Sequence, residues 1–338
     1  MELNSDSILR FLKASFKVKE PLDWGYPILF VGLGAALAYG VSMALFNFLP
    51  WSSTSLIGYS VSSIILMLFA FAMPAVFLSG ATLDNISGKY TGFGSSILAL
   101  LSGVPVYLMT TSVYNVLCYV WMRLGNTIVY PYLFSYVAND TPATLSLSFM
   151  TDTLIPSICK CLLFLGLMWS SFKPSERKIA KFIIPLIACL ASFDFLGGVC
   201  VFITFYWLCY VRETTENIWG PILCLAGSRL TGIFIGSLVS RVDITGIRTY
   251  QDIPMTCFYS AAPAFMVAII LFAFFMKVLG EFHFTYNNDI YGDSFDEEYR
   301  SKREQTAPGF LKGFNLAFFI GFIILLAVWV LVFRGYRP

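Results

Sequence analysis

The chain has 338 residues, of which 57% are hydrophobic and 12% charged, with 33 Phe, 18 Tyr and 7 Trp and a formal net charge of +2. A soluble domain carries about twice that charged fraction, so this chain cannot cover itself with polar groups in water, and its near-neutral balance offers no electrostatic footprint for nucleic acid. The composition predicts an all-α, polytopic integral membrane helix bundle, because runs of about 20 apolar residues match the ~30 Å hydrocarbon core of a bilayer.

The first 23 residues read as a separate amphipathic segment, and 24–338 as a single transmembrane domain. Within 7–19, SILRFLKASFKVK, helical spacing puts Ile8, Leu9, Phe11, Leu12 and Phe16 on one side and Arg10, Lys13 and Lys17 on the other. Ser5 or Asp6 is available as N-cap. Such a helix lies in the membrane interface with its basic face toward anionic lipid head groups; docking on a protein partner is the other reading. No cleavable signal-peptide pattern precedes the long first apolar run, so insertion is expected to rely on that run itself.

Eight apolar segments follow, at 24–49, 55–79, 94–123, 153–172, 179–211, 218–240, 254–279 and 311–333. The third holds Gly103 and Pro105, which can kink or end a helix. The fifth would be about 50 Å long as one helix at 1.5 Å per residue, so it must tilt, protrude or break. Cytoplasmic loops are enriched in Lys and Arg, which puts the N-terminal segment (Arg10, Lys13, Lys17, Lys19) and the 173–181 connection (Lys173, Arg177, Lys178, Lys181) inside, and 125–152, with neither residue type, outside.

Beyond 179 the charge rule does not choose. One crossing by 179–211 gives eight spans with both termini inside and the 281–310 loop outside. A break at Gly197 and Gly198 brings that loop inside and leaves Arg241, Arg248, Arg334 and Arg337 outside. The pieces 182–193 and 199–211 are each short for a crossing, so eight spans is the expectation.

Two stripes of small residues recur at four-residue spacing: Gly32, Ala36, Gly40 and Ala44 in the first span, and Ser228, Gly232, Gly236 and Ser240 in the sixth. Missing side chains on one face let helix backbones approach closely in lipid, so both faces are expected to pack on other helices.

Three ionisable groups fall within apolar segments: Lys160 in SICKCLL, Asp194 in SFDFLGG and Arg229 in LAGSRLTG. Charges at bilayer depth are costly and are functional candidates by default. Asp194 and Arg229 lie near the middles of consecutive segments, and an ion pair between them is the first expectation, although their depths differ by about 9 Å along the helix axes. A break at Gly197 and Gly198 would instead leave Asp194 at a discontinuity, where a carboxylate and exposed backbone groups can handle a cation or proton. Lys160, nearer the end of its span, is expected to snorkel toward the interface.

The sequence lacks the usual catalytic sets. Its one histidine, His283, lies in the hydrophilic loop, which removes two-histidine zinc and Ser-His chemistry at membrane level. There is no phosphate-binding GxxxxGK[ST] loop, and the acidic residues Asp289, Asp293, Asp296, Glu297 and Glu298 lack the spacing of a calcium loop. The eight cysteines, at 118, 159, 161, 189, 200, 209, 224 and 257, lie in apolar segments without zinc-site pairing and read as small core residues. No metal or cofactor is implied.

Residues 80–89, GATLDNISGK, resemble the G-x-x-x-D-R-x-G-R/K loop of major facilitator transporters, with Asn85 where that loop has a basic residue and one extra residue before Gly88. The likeness covers ten positions and the chain has too few spans for that fold, so the family is not carried over. Two functions fit: a transporter or permease-like component moving a small solute or ion, with Asp194 and Arg229 at its centre, or a non-catalytic accessory subunit held by other membrane protein subunits.

Overall fold

Apolar runs that cannot hydrogen-bond their backbone to lipid must satisfy it internally, and helices do so within one segment. Among the described residues every regular element is a helix, apart from an isolated bridge between Gly88 and Asn217. The computed structural model describes residues 22–48, 67–73, 88, 92–125, 154–243, 247, 249–290, 304–305 and 307–334. The N-terminal amphipathic helix expected at 7–19, with Arg10, Lys13 and Lys17, lies outside them, as do 291–303 and 306 of the hydrophilic loop.

The helices are α1 (Gly25–Phe48), α2 (Phe93–Leu101), α3 (Gly103–Arg123), α4 (Ile155–Ser171), α5 (Arg177–Leu190), α6 (Phe195–Thr215), α7 (Trp219–Ile235), α8 (Met255–Ile290) and α9 (Leu316–Arg334). A π-helical turn at Met67–Ala72 packs beside α1 and α4, and the middle of α4, Leu162–Met168, is also π-helical. Among the described residues, three helical stretches are long and apolar enough to cross a bilayer: Phe93–Arg123, Phe195–Thr215 and Met255–Glu281. The pair Ile155–Ser171 and Pro174–Leu190, bent by 115°, makes a fourth if taken as one span. Gly25–Leu37, Trp219–Ile235 and Leu316–Val332 are apolar but shorter. The membrane-helical class thus holds in its coarse form, while eight crossings is not a number these lengths supply.

The long run 179–211 is not one helix. α5 ends at Leu190, where Ser192 Oγ donates to the Cys189 carbonyl at 2.7 Å. Phe193 takes a left-handed backbone (φ 51°), and α6 starts after Asp194. The discontinuity therefore precedes Gly197 and Gly198, which lie buried in the first turn of α6. A Cβ on Gly197 would sit 2.0 Å from Asp194 Oδ2, and one on Gly198 3.0 Å from Cys189 Sγ. These glycines make room for a capping carboxylate and for the returning helix. Cys189 beside Gly198 and Lys181 paired with Glu213 show that α5 and α6 run antiparallel.

Close backbone approach explains the other helix pairs. α1 and α9 lie side by side, with Gly321 so near α1 that a Cβ there would come 2.4 Å from the Leu29 nitrogen. α7 crosses the α2–α3 junction, where a Cβ on Gly227 would meet the Leu100 carbonyl at 2.0 Å and one on Gly103 the Cys224 carbonyl at 2.3 Å. The main core is apolar and aromatic, with Trp24, Phe71, Phe164, Leu208 and Leu325 fully buried.

Helix ends collect at two faces. At the first, Ser171 Oγ donates to the Leu22 carbonyl (2.7 Å), Trp24 Nε1 to the Phe310 carbonyl (2.8 Å) and the Gly309 amide to the Ser171 carbonyl (3.0 Å). The start of α1, the α4–α5 corner and the approach to α9 are therefore held together. At the second face, Trp329 of α9 donates to the Leu190 carbonyl at 2.8 Å, beside Phe193, while Asn115 of α3 grips the α7–α8 connection.

Candidate functional site

Asp194 caps α6. Its φ and ψ of −129° and 118° are those of an N-cap, and its Oδ1 accepts the Gly197 amide at 2.9 Å while its own carbonyl accepts from Gly198 at 2.7 Å. A carboxylate is favoured there because it satisfies an orphan N–H and meets the positive end of the helix dipole. The side chain is half-buried.

Around it α3 and α6 pack through Tyr114, Cys118, Leu196 and Cys200, with Trp121 against Phe195 at 5.1 Å and Cys200 Sγ donating to the Thr110 carbonyl at 3.3 Å. Tyr114 is buried, and the Arg241 guanidinium lies over its ring, 3.6 Å from the centroid. Cation–π contact of this kind is electrostatically favourable. Arg241 is held there by its neighbours: fully buried Asn115 donates to the carbonyls of Ser240 (2.9 Å) and Cys257 (3.2 Å) and accepts the Val242 amide (2.9 Å). Those bonds fix the chain on both sides of Arg241. Both the guanidinium and the buried Tyr114 phenol are within electrostatic reach of Asp194.

The structure places the other sequence candidates elsewhere. None of the contacts of Asp194 is to Arg229, which is exposed on α7. Arg241, which the sequence places in a connection, is the cation on the Asp194 side. Lys160 is half-buried on α4 between the buried Cys159 and Cys161. In the first stripe Gly32 packs on Gly321, where a Cβ would be 2.8 Å from the carbonyl, and Ala36 borders the core. Gly40 faces open space, and Ala44 lies further along α1. In the second stripe Ser228 is buried, a Cβ on Gly232 would come 2.9 Å from the Tyr107 ring, Gly236 continues beside Tyr107, and Ser240 accepts from Asn115.

A second charged centre is Arg212, 2% exposed in the last turn of α6, where a cation complements the helix dipole. Its Nε donates to the Leu165 carbonyl at 3.2 Å, inside the π-helical part of α4. π-helical turns often mark functional positions. Thr214, Thr215 and Asn217, which follow it in the chain, are buried too, and Gly88, with φ 79°, sits where a Cβ would come 2.8 Å from Arg212 Nη1. By sequence Arg212 reads as the start of a connection, and only the extra helical turn that carries α6 to Thr215 buries it.

The chain matches no family model, no curated protein and no solved structure.

Proposed function

We propose that the chain is a multi-pass membrane transporter or permease-like component for a small solute or ion, with Asp194 as its working carboxylate. The observation that carries this reading is a half-buried carboxylate at the break between two antiparallel helices, near Tyr114 and Arg241 and outside any direct ion pair with Arg229. Broken helices with charged groups at the break are how many transporters build a site within the bilayer. Arg241 takes the partner role first expected of Arg229.

The break also supports a topology. The start of α1, the basic α4–α5 corner and 307–315 share one face, and a turn at 191–194 supplies the extra reversal needed to bring the 281–310 loop to that side. We assign this face, with the N-terminus and Arg10, Lys13 and Lys17, to the cytoplasm and anionic head groups, because Lys173, Arg177, Lys178 and Lys181 lie there.

The test is flux into vesicles reconstituted with the full chain, read with a trapped pH dye and with sodium, potassium and chloride gradients. Asp194→Asn keeps the cap acceptor and removes the charge. It is expected to abolish a flux that Arg229→Ala retains; equal flux in wild type and Asp194→Asn would sink the proposal.

The accessory-subunit reading draws on α8, of whose apolar window only 22% is buried, against 56% for α6. It predicts a stoichiometric partner on gentle extraction, lost when 281–310 is deleted, and solitary purification counts against it.

A further inference from the structure

The α4–α5 corner reads Lys173-Pro174-Ser175-Glu176-Arg177-Lys178, a tight turn on the first face with Ser175 and Lys178 exposed. Two carboxylates clasp it to the far end of the hydrophilic loop. Glu304 accepts both the hydroxyl (2.6 Å) and the amide (3.3 Å) of Ser175. Glu176 accepts the amides of Lys173 (3.3 Å) and Phe310 (2.9 Å), and the next amide, Gly309, donates to Ser171. Gly309 is left-handed (φ 87°), with its Cα side facing the Glu176 carboxylate, so the clasp fits closely.

The clasp depends on Ser175 being a donor. Its hydroxyl proton is what makes a neutral side chain attractive to Glu304, and a negative group at that oxygen would face the Glu304 carboxylate. We propose that Ser175 is a phosphorylation site whose modification opens the clasp and frees the end of the 281–310 loop. A serine kinase that favours basic flanks would read Lys173, Arg177 and Lys178. Ser175 Oγ attacks the γ-phosphorus of a nucleoside triphosphate, the new O–P bond replaces the bond to the bridging oxygen, the nucleoside diphosphate leaves, and the hydroxyl proton passes to the kinase base. The product carries about −1.5 to −2 charges at neutral pH. It can no longer donate to Glu304 and repels it, while Lys173 draws the phosphate toward the corner itself. In the cell this rests on the cytoplasmic assignment of the face made above; on detergent-solubilised protein, where both faces are open, it does not.

The experiment treats the full-length protein in detergent with such a kinase and ATP, locates phosphate by peptide mass, and follows amide hydrogen exchange over 304–315. Phosphate is expected at Ser175 and is lost in Ser175→Ala. The Gly309 and Phe310 amides should exchange about tenfold faster in the phosphorylated protein and in Ser175→Glu, as expected for loss of a charge-assisted hydrogen bond. In Glu304→Gln, which removes the repelling charge, phosphorylation should change exchange less. A Ser175 that takes no phosphate, or a phosphorylated protein with exchange unchanged over 304–315, overturns the proposal; absent flux in the vesicle assay does not touch it.

Discussion

The Gly197 amide donates to Asp194 Oδ1 at 2.9 Å, so the carboxylate that stands alone in an apolar run closes the first turn of α6. Capping and charge can be separated there. Asp194→Ala removes both and is expected to cost about 1 kcal/mol, within the 0.5–2 range for lost caps. Asp194→Asn, an equally good cap, should leave unfolding in detergent nearly unchanged. A cost for Asn as large as for Ala would show that the charge, not the cap, holds the break.

Two glycines of the α1–α9 pair should respond in opposite directions. Gly321→Ala forces a methyl to within 2.4 Å of the Leu29 backbone nitrogen and should destabilise by roughly 1–3 kcal/mol, as overpacking does. Gly40→Ala meets nothing within 4 Å and should be neutral or stabilising by up to about 1 kcal/mol, since it relieves a helix of glycine. Thermal unfolding of the two variants in the same detergent makes the comparison.

Asn115 makes three hydrogen bonds, two to the α7–α8 connection and one to the first turn of α8. Asn115→Leu breaks all three and strands their backbone partners, a loss on the order of 3 kcal/mol. It should also release Arg241 from the Tyr114 ring. Added loss of stability on making Arg241→Gln should therefore be smaller in the Asn115→Leu background than in wild type, and additivity would argue that the clamp does not position Arg241.

The proposed sidedness predicts that Asn139, in the acceptor triplet Asn139-Asp140-Thr141, is glycosylated when the chain is made in a host with that chemistry, because 126–153 joins helix ends opposite the first face. An acceptor triplet introduced within 291–300 should stay unmodified. Modification of the introduced acceptor would place the 281–310 loop on the wrong side for this topology.

Glu304 is held below the ordinary carboxyl value of 4.5, first by the Ser175 hydroxyl, against an opposing effect of desolvation, and then by the Ser175 amide and the Lys173 charge. A lowered folded value means that the clasp contributes fully above the unfolded value and is lost as pH falls through the folded one. Exchange at Gly309, corrected for its intrinsic pH dependence, should therefore rise only below about pH 4.5, and Glu304→Gln should remove that step.

Membrane class was legible because composition and run length are properties of the chain alone, and the suspicion that 179–211 breaks came from length. The place of the break was not legible. Gly197 and Gly198 attract attention as helix breakers, yet the chain breaks where Ser192 and Asp194 can cap two helix ends, and the glycines serve the packing that results. Asp194 stood out because its neighbours are apolar. Arg241 did not, since it follows the last apolar residues of its segment and only the Asn115 clamp, between residues 125 positions apart at Ser240, brings it back over α3. The ion pair expected with Arg229 assumed that depth counted from one connection predicts proximity; helix rotation, which sequence counting does not supply, puts Arg229 on an exposed face.

Seven of the eight thiols, all but Cys189, are buried in the bundle. A membrane-impermeant maleimide therefore meets almost no native target. Single cysteines introduced at either face can be read against a nearly silent background, so every accessibility question raised by this topology can be asked of the natural chain without first stripping it of its own sulfur.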